Sequence, residues 1–388
     1  MKNINKNKIR LFKPALGEPE LKEIKKVFDK SWVGYGPKVK EFEKVWSEYF
    51  NVRYSVGVNS CTAALHTALA ANKFKKGKKV LVPSISFSAT AAVVLYCGLI
   101  PVFVDINEYD LNMNFNDLQN KYSKDCVAII PVHFGGHPCE MEKIIPWANK
   151  KKLVVIEDCA ETCGGSYKGK KLGTWGHFGC YSFEEKKIMT TGDGGMITTN
   201  NKKKSVLLRS FSFHGWDKDP LIRHKKSLSK SKMKTNHWDY DIRELGYKYN
   251  MNDLMASIGM SQFKKLKWLN KSRSDLIDLY IKGFKNCRNI KFTFPYNLKD
   301  ASYWMLSIRC KKRGKLIEYL KLNGISSSVH LKPLPLLSVY KKYNAKVPNA
   351  KRIWKELVSL PLFPDLKKNQ VKYIIKVIKN FDNNYKKF

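Results

Sequence analysis

The segment Cys180–Thr199, CYSFEEKKIMTTGDGGMITT, gathers the residue types with the widest chemical reach. An apolar run ends in Ser182 and Phe183, two adjacent lysines follow at Lys186 and Lys187, and a turn with Gly192, Gly194 and Gly195 feeds a second apolar run. Paired lysines mean little in so basic a chain, but their place matters. An amine between a strand end and a tight turn lies where ligands gather in α/β sheets, and a lysine used for Schiff-base chemistry needs a partly buried setting. A second run, LVVIEDCAETCGG (Leu153–Gly165), ends its apolar stretch in Glu157 and Asp158. A carboxylate there can ligate a metal, cap a helix or balance a protonated ring nitrogen, and taken alone Asp158 reads first as a cap. A third, VGVNSCTAALHTAL (Val56–Leu69), opens a helix with small and hydroxyl residues directly after a strand. Free backbone N–H groups and the helix dipole favour an anion there, while a plain cap by Ser60 or Thr62 fits the same letters.

The elements that must carry these residues alternate in type. Glu18–Trp32, with Leu21, Ile24, Val27 and Phe28 on one face, reads as an amphipathic helix, and Val39–Phe50 as a second. Thr62–Ala71 reads as a buried helix. Strands are expected at Lys79–Pro83, Pro101–Asp105, Ala128–His133, Leu153–Glu157, Gly179–Phe183 and Met196–Thr199, with a helix around Met141–Lys151. Short apolar runs between helical periods imply an α/β domain with a mostly parallel sheet. Asn252–Leu276 reads as one long helix. From residue 271 the chain forms a smaller α+β unit, with a strand at Tyr303–Cys310 and a last helix at Asn369–Phe381. The expected division is 1–270 and 271–388. Within the first part, Trp216–Asn236 is rich in Lys and Ser and reads as a basic surface loop.

Composition excludes several classes. The 388 residues include 72 basic and 33 acidic side chains, a formal charge of +39. Lys outnumbers Arg roughly six to one and is spread along the chain, the mark of compositional drift rather than of a nucleic-acid stripe. The positive field suits an anionic small substrate. No apolar stretch is long enough for a membrane span, and Met1–Arg10 lacks the apolar core of a signal peptide. The nine cysteines form no CxxC pair, so reduced thiols, a cytoplasmic location and no metal site are expected. Cys159 and Cys163 have the spacing to share one side of a helix.

Taken in order, these motifs resemble the DegT/DnrJ/EryC1/StrS aminotransferases over about Leu11–Phe381. The resemblance is carried by KPALGEPELKEIKKVFDKSWVGYGPKVKEFEKVW, NSCTAALH, VPSISFSATAAVV, PVFVDI, PVHFGGHPCEM, IEDCAE, the SFxxxK run, LGYKYNMNDLMASIGMSQF and SLPLFP. It implies a fold type I PLP-dependent transferase, aspartate aminotransferase-like, with pyridoxal 5′-phosphate as cofactor. The implied reaction is transamination of a nucleotide-diphosphate keto sugar, with an amino acid such as L-glutamate as donor. Lys187 falls on the Schiff-base lysine and Asp158 on the partner of the pyridine nitrogen. Phe87 falls on the stacking aromatic, and Ser60, Cys61, Thr62 and Ser182 on the phosphate cradle. Lys248 and Asn250 fall on a turn that reaches the neighbouring subunit's cofactor in a homodimer with shared sites. His330 falls near the substrate.

Three positions depart from the family pattern. Glu161 stands where many members carry Gln or His near the cofactor oxygen, His177 replaces an Asp, and Cys61 replaces a Gly. A family branch with His at the lysine position performs sugar dehydration, which Lys187 argues against. Cyclitol amination and aminohydroxybenzoate synthesis remain alternatives within the family, and a catalytically silent binding or regulatory subunit is the alternative outside it.

Overall fold

A computed structural model describes residues 8–219, 221, 239–298 and 300–388. The central sheet has seven strands in the order β1-β9-β8-β5-β4-β2-β3. These are β1 (Tyr54–Val58), β2 (Lys79–Pro83), β3 (Ile100–Val104), β4 (Cys126–Ile129), β5 (Val154–Cys159), β8 (Phe178–Ser182) and β9 (Gly195–Thr199). The neighbours from β3 through β8 run parallel, and β9 runs antiparallel to both β8 and β1. The parallel strands β2 to β5 are rich in Val, Ile and Leu, as expected where both faces of a sheet are covered. Helix Cys61–Ala70 is buried around most of its circumference and packs against β8, β9 and β5. A short hairpin, β6 (Ser166–Tyr167) with β7 (Lys170–Lys171), follows β5.

A second, antiparallel sheet joins β10 (Lys291–Phe292), β11 (Leu306–Arg309) and β12 (Leu357–Leu360). Helices Leu266–Phe284, Arg313–Leu322 and Lys368–Asn383 accompany it. The last helix buries Val371, Ile374, Val377, Ile378 and Phe381, a spacing that keeps one apolar stripe inward. Among the described residues no helix is long and apolar enough to cross a membrane.

Several expectations change. The helix read over Asn252–Leu276 is two, Asp253–Lys264 and Leu266–Phe284, broken at Lys265. The Lys265 ammonium reaches back to Glu20 (2.6 Å) and to the Ala15 carbonyl (2.9 Å). Apolar periodicity continues through the break because both helices bury a face, which is why sequence runs them together. Asn252 caps the first of them by accepting from the Met255 N–H. The strand read at Tyr303–Cys310 is shorter, Leu306–Arg309. Cys159 ends β5 and Cys163 lies beyond it, so they share no helix face. Of the basic loop 216–236, only Trp216–Asp219 and Leu221 are described; the rest lies outside the described residues.

Candidate active site

Parallel strands release their next residues on one side of the sheet, where the chain turns away and backbone groups go unpaired. Here the carboxyl ends of β1, β2, β5 and β8 open into a cleft of about 480 Å³. After β1 come Ser60, Cys61 and Thr62; after β2, Ser86 and Phe87; from β5, Asp158 and Glu161; from β8, Ser182 and Lys187. Trp304 and His330, from the C-terminal part, complete the wall.

Lys187 is half-buried and its Nζ lies 4.0 Å from the centroid of the Trp304 ring. Lys186, one residue earlier, is exposed and pairs with Glu184 and Glu185 at 3.6 Å each. Asp158 is buried at the end of β5. Its carboxylate accepts from the Thr90 hydroxyl (2.9 Å) and the Ala160 N–H (3.0 Å), and Thr90 in turn meets Ser86 (2.7 Å). Asp158 therefore caps no helix. Burial pushes its pKa up, against the pull of the Ala160 N–H, the Thr90 hydroxyl and the Lys187 charge. Among the described residues it makes no ion pair, so a buried carboxyl group faces the cleft without a direct cationic partner.

Ser60 caps helix Cys61–Ala70, its hydroxyl accepting from the Ala63 N–H (3.1 Å). Capping by Ser60 leaves the first-turn N–H groups of Cys61 and Thr62 toward the cleft, a setting for an anionic group. Phe87 lines the cleft and is 62 % exposed, so its ring is open to a ligand. Glu161 is buried, and one of its oxygens accepts from the Gly135 N–H at 2.6 Å. Burial raises its pKa to about 7, while the Lys187 charge and the Gly135 N–H pull it down. His330 contacts the Ser359 hydroxyl through Nδ1 (2.8 Å) and presents its ring to Trp304 (5.3 Å) and Phe12 (5.8 Å). Burial, aided by the charges of Lys187 and Lys186, lowers its pKa to about 4, so it is neutral at physiological pH.

These features fit pyridoxal phosphate: an amine for its aldehyde, a buried carboxylate for its ring nitrogen, a helix start for its phosphate and an uncovered aromatic for its ring face. Lys248 and Asn250 do not join the cleft. Lys248 is exposed with its ammonium over the Phe213 ring (4.5 Å), and the buried Asn250 Oδ1 has no partner within the described chain. His177 accepts from the Val155 N–H through Nδ1 (3.0 Å), a structural role away from the cleft. Glu157, beside Asp158, faces away from the cleft and is saturated by the N–H groups of Gly173 (2.8 Å) and Gly176 (2.7 Å) and by His133 (3.1 Å). Sequence reasoning missed Trp304 and Thr90. The threonine stood in the quoted VPSISFSATAAVV run; nothing in the letters around Trp304 marked it.

The pattern of the DegT/DnrJ/EryC1/StrS aminotransferase family matches residues 14–379. The spore coat polysaccharide biosynthesis protein SpsC of Bacillus subtilis is 32% identical, covering 95% of this chain and 95% of its own length. GDP-perosamine synthase of Escherichia coli O157:H7 is 31% identical, covering 96% of this chain and 98% of its own. A solved structure of a putative sugar aminotransferase of Streptococcus pneumoniae, in its PMP form, superposes with a TM-score of 0.89 at 29% identity, covering 97% and 99% of the two chains.

Proposed function

Because the chain belongs to the DegT/DnrJ/EryC1/StrS aminotransferase family, we propose that it converts the carbonyl of a nucleotide-diphosphate keto sugar into an amine, with L-glutamate as donor. It is a sugar aminotransferase, and its cofactor is pyridoxal 5′-phosphate. The observation that carries the reading is the meeting of Lys187, Asp158 and the capped helix start at Ser60 in one cleft. A GDP-sugar enzyme among the relatives and the +39 formal charge both favour a nucleotide-linked, anionic substrate.

The bound cofactor supplies an aldehyde for amine capture and a ring that accepts an electron pair from the reacting carbon. Lys187 anchors it through Nζ. Once freed, that amine would carry the proton from the amino-bearing carbon of the donor to the cofactor carbon that bore the aldehyde, and in the second half-reaction carry one the opposite way, to the sugar carbon gaining nitrogen. Asp158, fixed by Thr90 and the Ala160 N–H, keeps negative charge against the ring nitrogen so that it stays protonated. Ser60, Cys61, Thr62 and Ser182 would hold the phosphate, Phe87 would stack on the ring, and Glu161 would stand near the cofactor oxygen. His330, neutral, offers a hydrogen bond to the sugar.

The same reading makes the protein a homodimer, with Lys248 and Asn250 completing the partner's phosphate site. The unpartnered Asn250 Oδ1 supports it, as do exposed apolar side chains at Tyr96 and Leu245. It also keeps the enzyme in the cytoplasm, where its nine free cysteines stay reduced.

The test is transfer of nitrogen-15 from labelled glutamate to UDP-, GDP- and dTDP-linked keto sugars, with a free keto cyclitol as a further arm. Transfer to one nucleotide sugar is the expected result. Transfer only to the cyclitol moves the protein to another branch of the family. A colourless protein that transfers to nothing and cannot be reconstituted with cofactor is a silent subunit.

A further inference from the structure

Two lysines stand side by side at the cleft: Lys187 is half-buried in its wall, and Lys186 is exposed at its edge, paired with Glu184 and Glu185. Both of their carbonyls are tied by side chains from the C-terminal third of the chain. The Trp304 indole N–H donates to the Lys186 carbonyl at 2.7 Å, and the buried Arg273 guanidinium donates to the Lys187 carbonyl at 3.4 Å. The ring of the same Trp304 faces the Lys187 ammonium, 4.0 Å from Nζ to centroid. One indole thus holds the backbone of the first lysine and the amine of the second.

Trp304 is itself well fixed. Phe12 stacks on it with centroids 5.1 Å apart and planes 5° from parallel, and its backbone N–H donates to the Gly135 carbonyl at 3.0 Å. It is 5 % exposed. Inside the loop itself the ties are local: the Lys187 N–H donates to the Glu184 carbonyl (2.9 Å) and the Lys186 N–H to the Glu184 carboxylate (3.0 Å). Such contacts travel with the loop if it turns, so they cannot decide which lysine points inward. The contacts from Trp304 and Arg273 come from outside the loop and can.

We propose that Trp304 is a positioning residue that selects Lys187 over Lys186 as the reactive amine, with Arg273 as the second clamp. The inference rests on the reading of Lys187 as cofactor anchor. Two substitutions separate the two contacts of the indole. Trp304→Phe keeps a ring over the amine and drops the N–H donor, and Trp304→Leu drops both.

The experiment loads each protein with one equivalent of pyridoxal phosphate, reduces with borohydride, digests, and measures by mass spectrometry how the label divides between Lys186 and Lys187. In the unmodified protein nearly all of it falls on Lys187, with a small measurable share on Lys186. The Lys186 share should rise about threefold in Trp304→Phe and about tenfold in Trp304→Leu, the scale of one lost hydrogen bond and then of a lost cation–π contact as well. A Trp304 that only fills space would lower the melting temperature of both variants and leave the label on Lys187, and that result overturns the proposal. If the leucine variant does not fold, the phenylalanine variant decides alone, an unchanged Lys186 share counting against the proposal. Label on neither lysine in the unmodified protein is a separate failure, of the anchor assignment beneath.

Discussion

At the scale of single residues, environment separates groups that composition treats as equal. Lys186 and Lys187 have the same chemistry, yet one is solvated among Glu184 and Glu185 and the other lies against Trp304 beside Asp158 and Glu161. Lys187→Ala should therefore lower turnover by at least about a thousandfold, because anchor and proton carrier vanish together, while Lys186→Ala should stay within about twofold, since exposed ion pairs contribute little. The reverse order in steady-state assays would refute the assignment. Glu161 invites a pH test. Its folded pKa of about 7 stands above the ordinary value of 4.5. Between those values the folded protein holds more protons than the unfolded chain, so this group's contribution to stability falls as pH rises through the window. Glu161→Gln removes that loss. Urea unfolding of the cofactor-free protein should find variant and wild type alike near the lower value, and the variant ahead by up to about 3 kcal/mol near pH 8. A gap that does not change with pH would place Glu161's charge elsewhere. Asp158 and Lys187 stood out in sequence because strand-end position is a local pattern, although Asp158 taken alone read first as a cap, and Glu161 stood out only through the resemblance. Trp304 was not, since its worth comes from Phe12, Gly135 and Lys186, all distant along the chain.

At the scale of elements, the cleft depends on how closely β9 passes the start of helix Cys61–Ala70. A Cβ at Gly195 would lie 2.7 Å from the Ser60 carbonyl carbon and oxygen and 2.8 Å from the Tyr181 carbonyl oxygen, all backbone. Backbone cannot rotate away as a side chain tip can, so Gly195→Ala must push the helix start off β9. The phosphate end of the site should suffer first: affinity for pyridoxal phosphate should drop about tenfold, and affinity for pyridoxal without its phosphate much less, overpacking of this kind typically costing about 1–3 kcal/mol. Equal losses for the two ligands, measured by titrating the apoprotein, would show that the helix start does not hold the phosphate. The strands around this contact read well from sequence, β2 to the residue, since a short buried run between turn signals has few alternatives. The break at Lys265 was hidden, because it is made by the reach of its side chain to Glu20 and Ala15, which no local pattern encodes.

At the scale of the whole molecule, what decides function is which surfaces meet. The three-stranded sheet and its helices bring Trp304 and His330 to a cleft otherwise built from the first half of the chain, a meeting that sequence periodicity cannot express. The segment Gly246–Asp253 poses the same problem one level up. It leads from the exposed Lys248 through Asn250, whose Oδ1 is buried without a partner, to the helix capped by Asn252. Within one subunit those two side chains do nothing for the cleft. Across a two-fold axis each subunit would give this turn and receive its copy, since such interfaces are isologous, and Lys248 would add a cation to an anion already held at the start of helix Cys61–Ala70. A monomer would then be incomplete. Mixing two inactive proteins tests this: Lys187→Ala in one, Lys248→Glu with Asn250→Asp in the other. In a mixed dimer one site carries both lesions and the other carries none. Random equal exchange makes half the dimers mixed, with one working site each, so activity should return to roughly a quarter of wild type. If the subunits demonstrably exchange and activity stays absent, each site is built within one chain and Lys248 serves only its own surface.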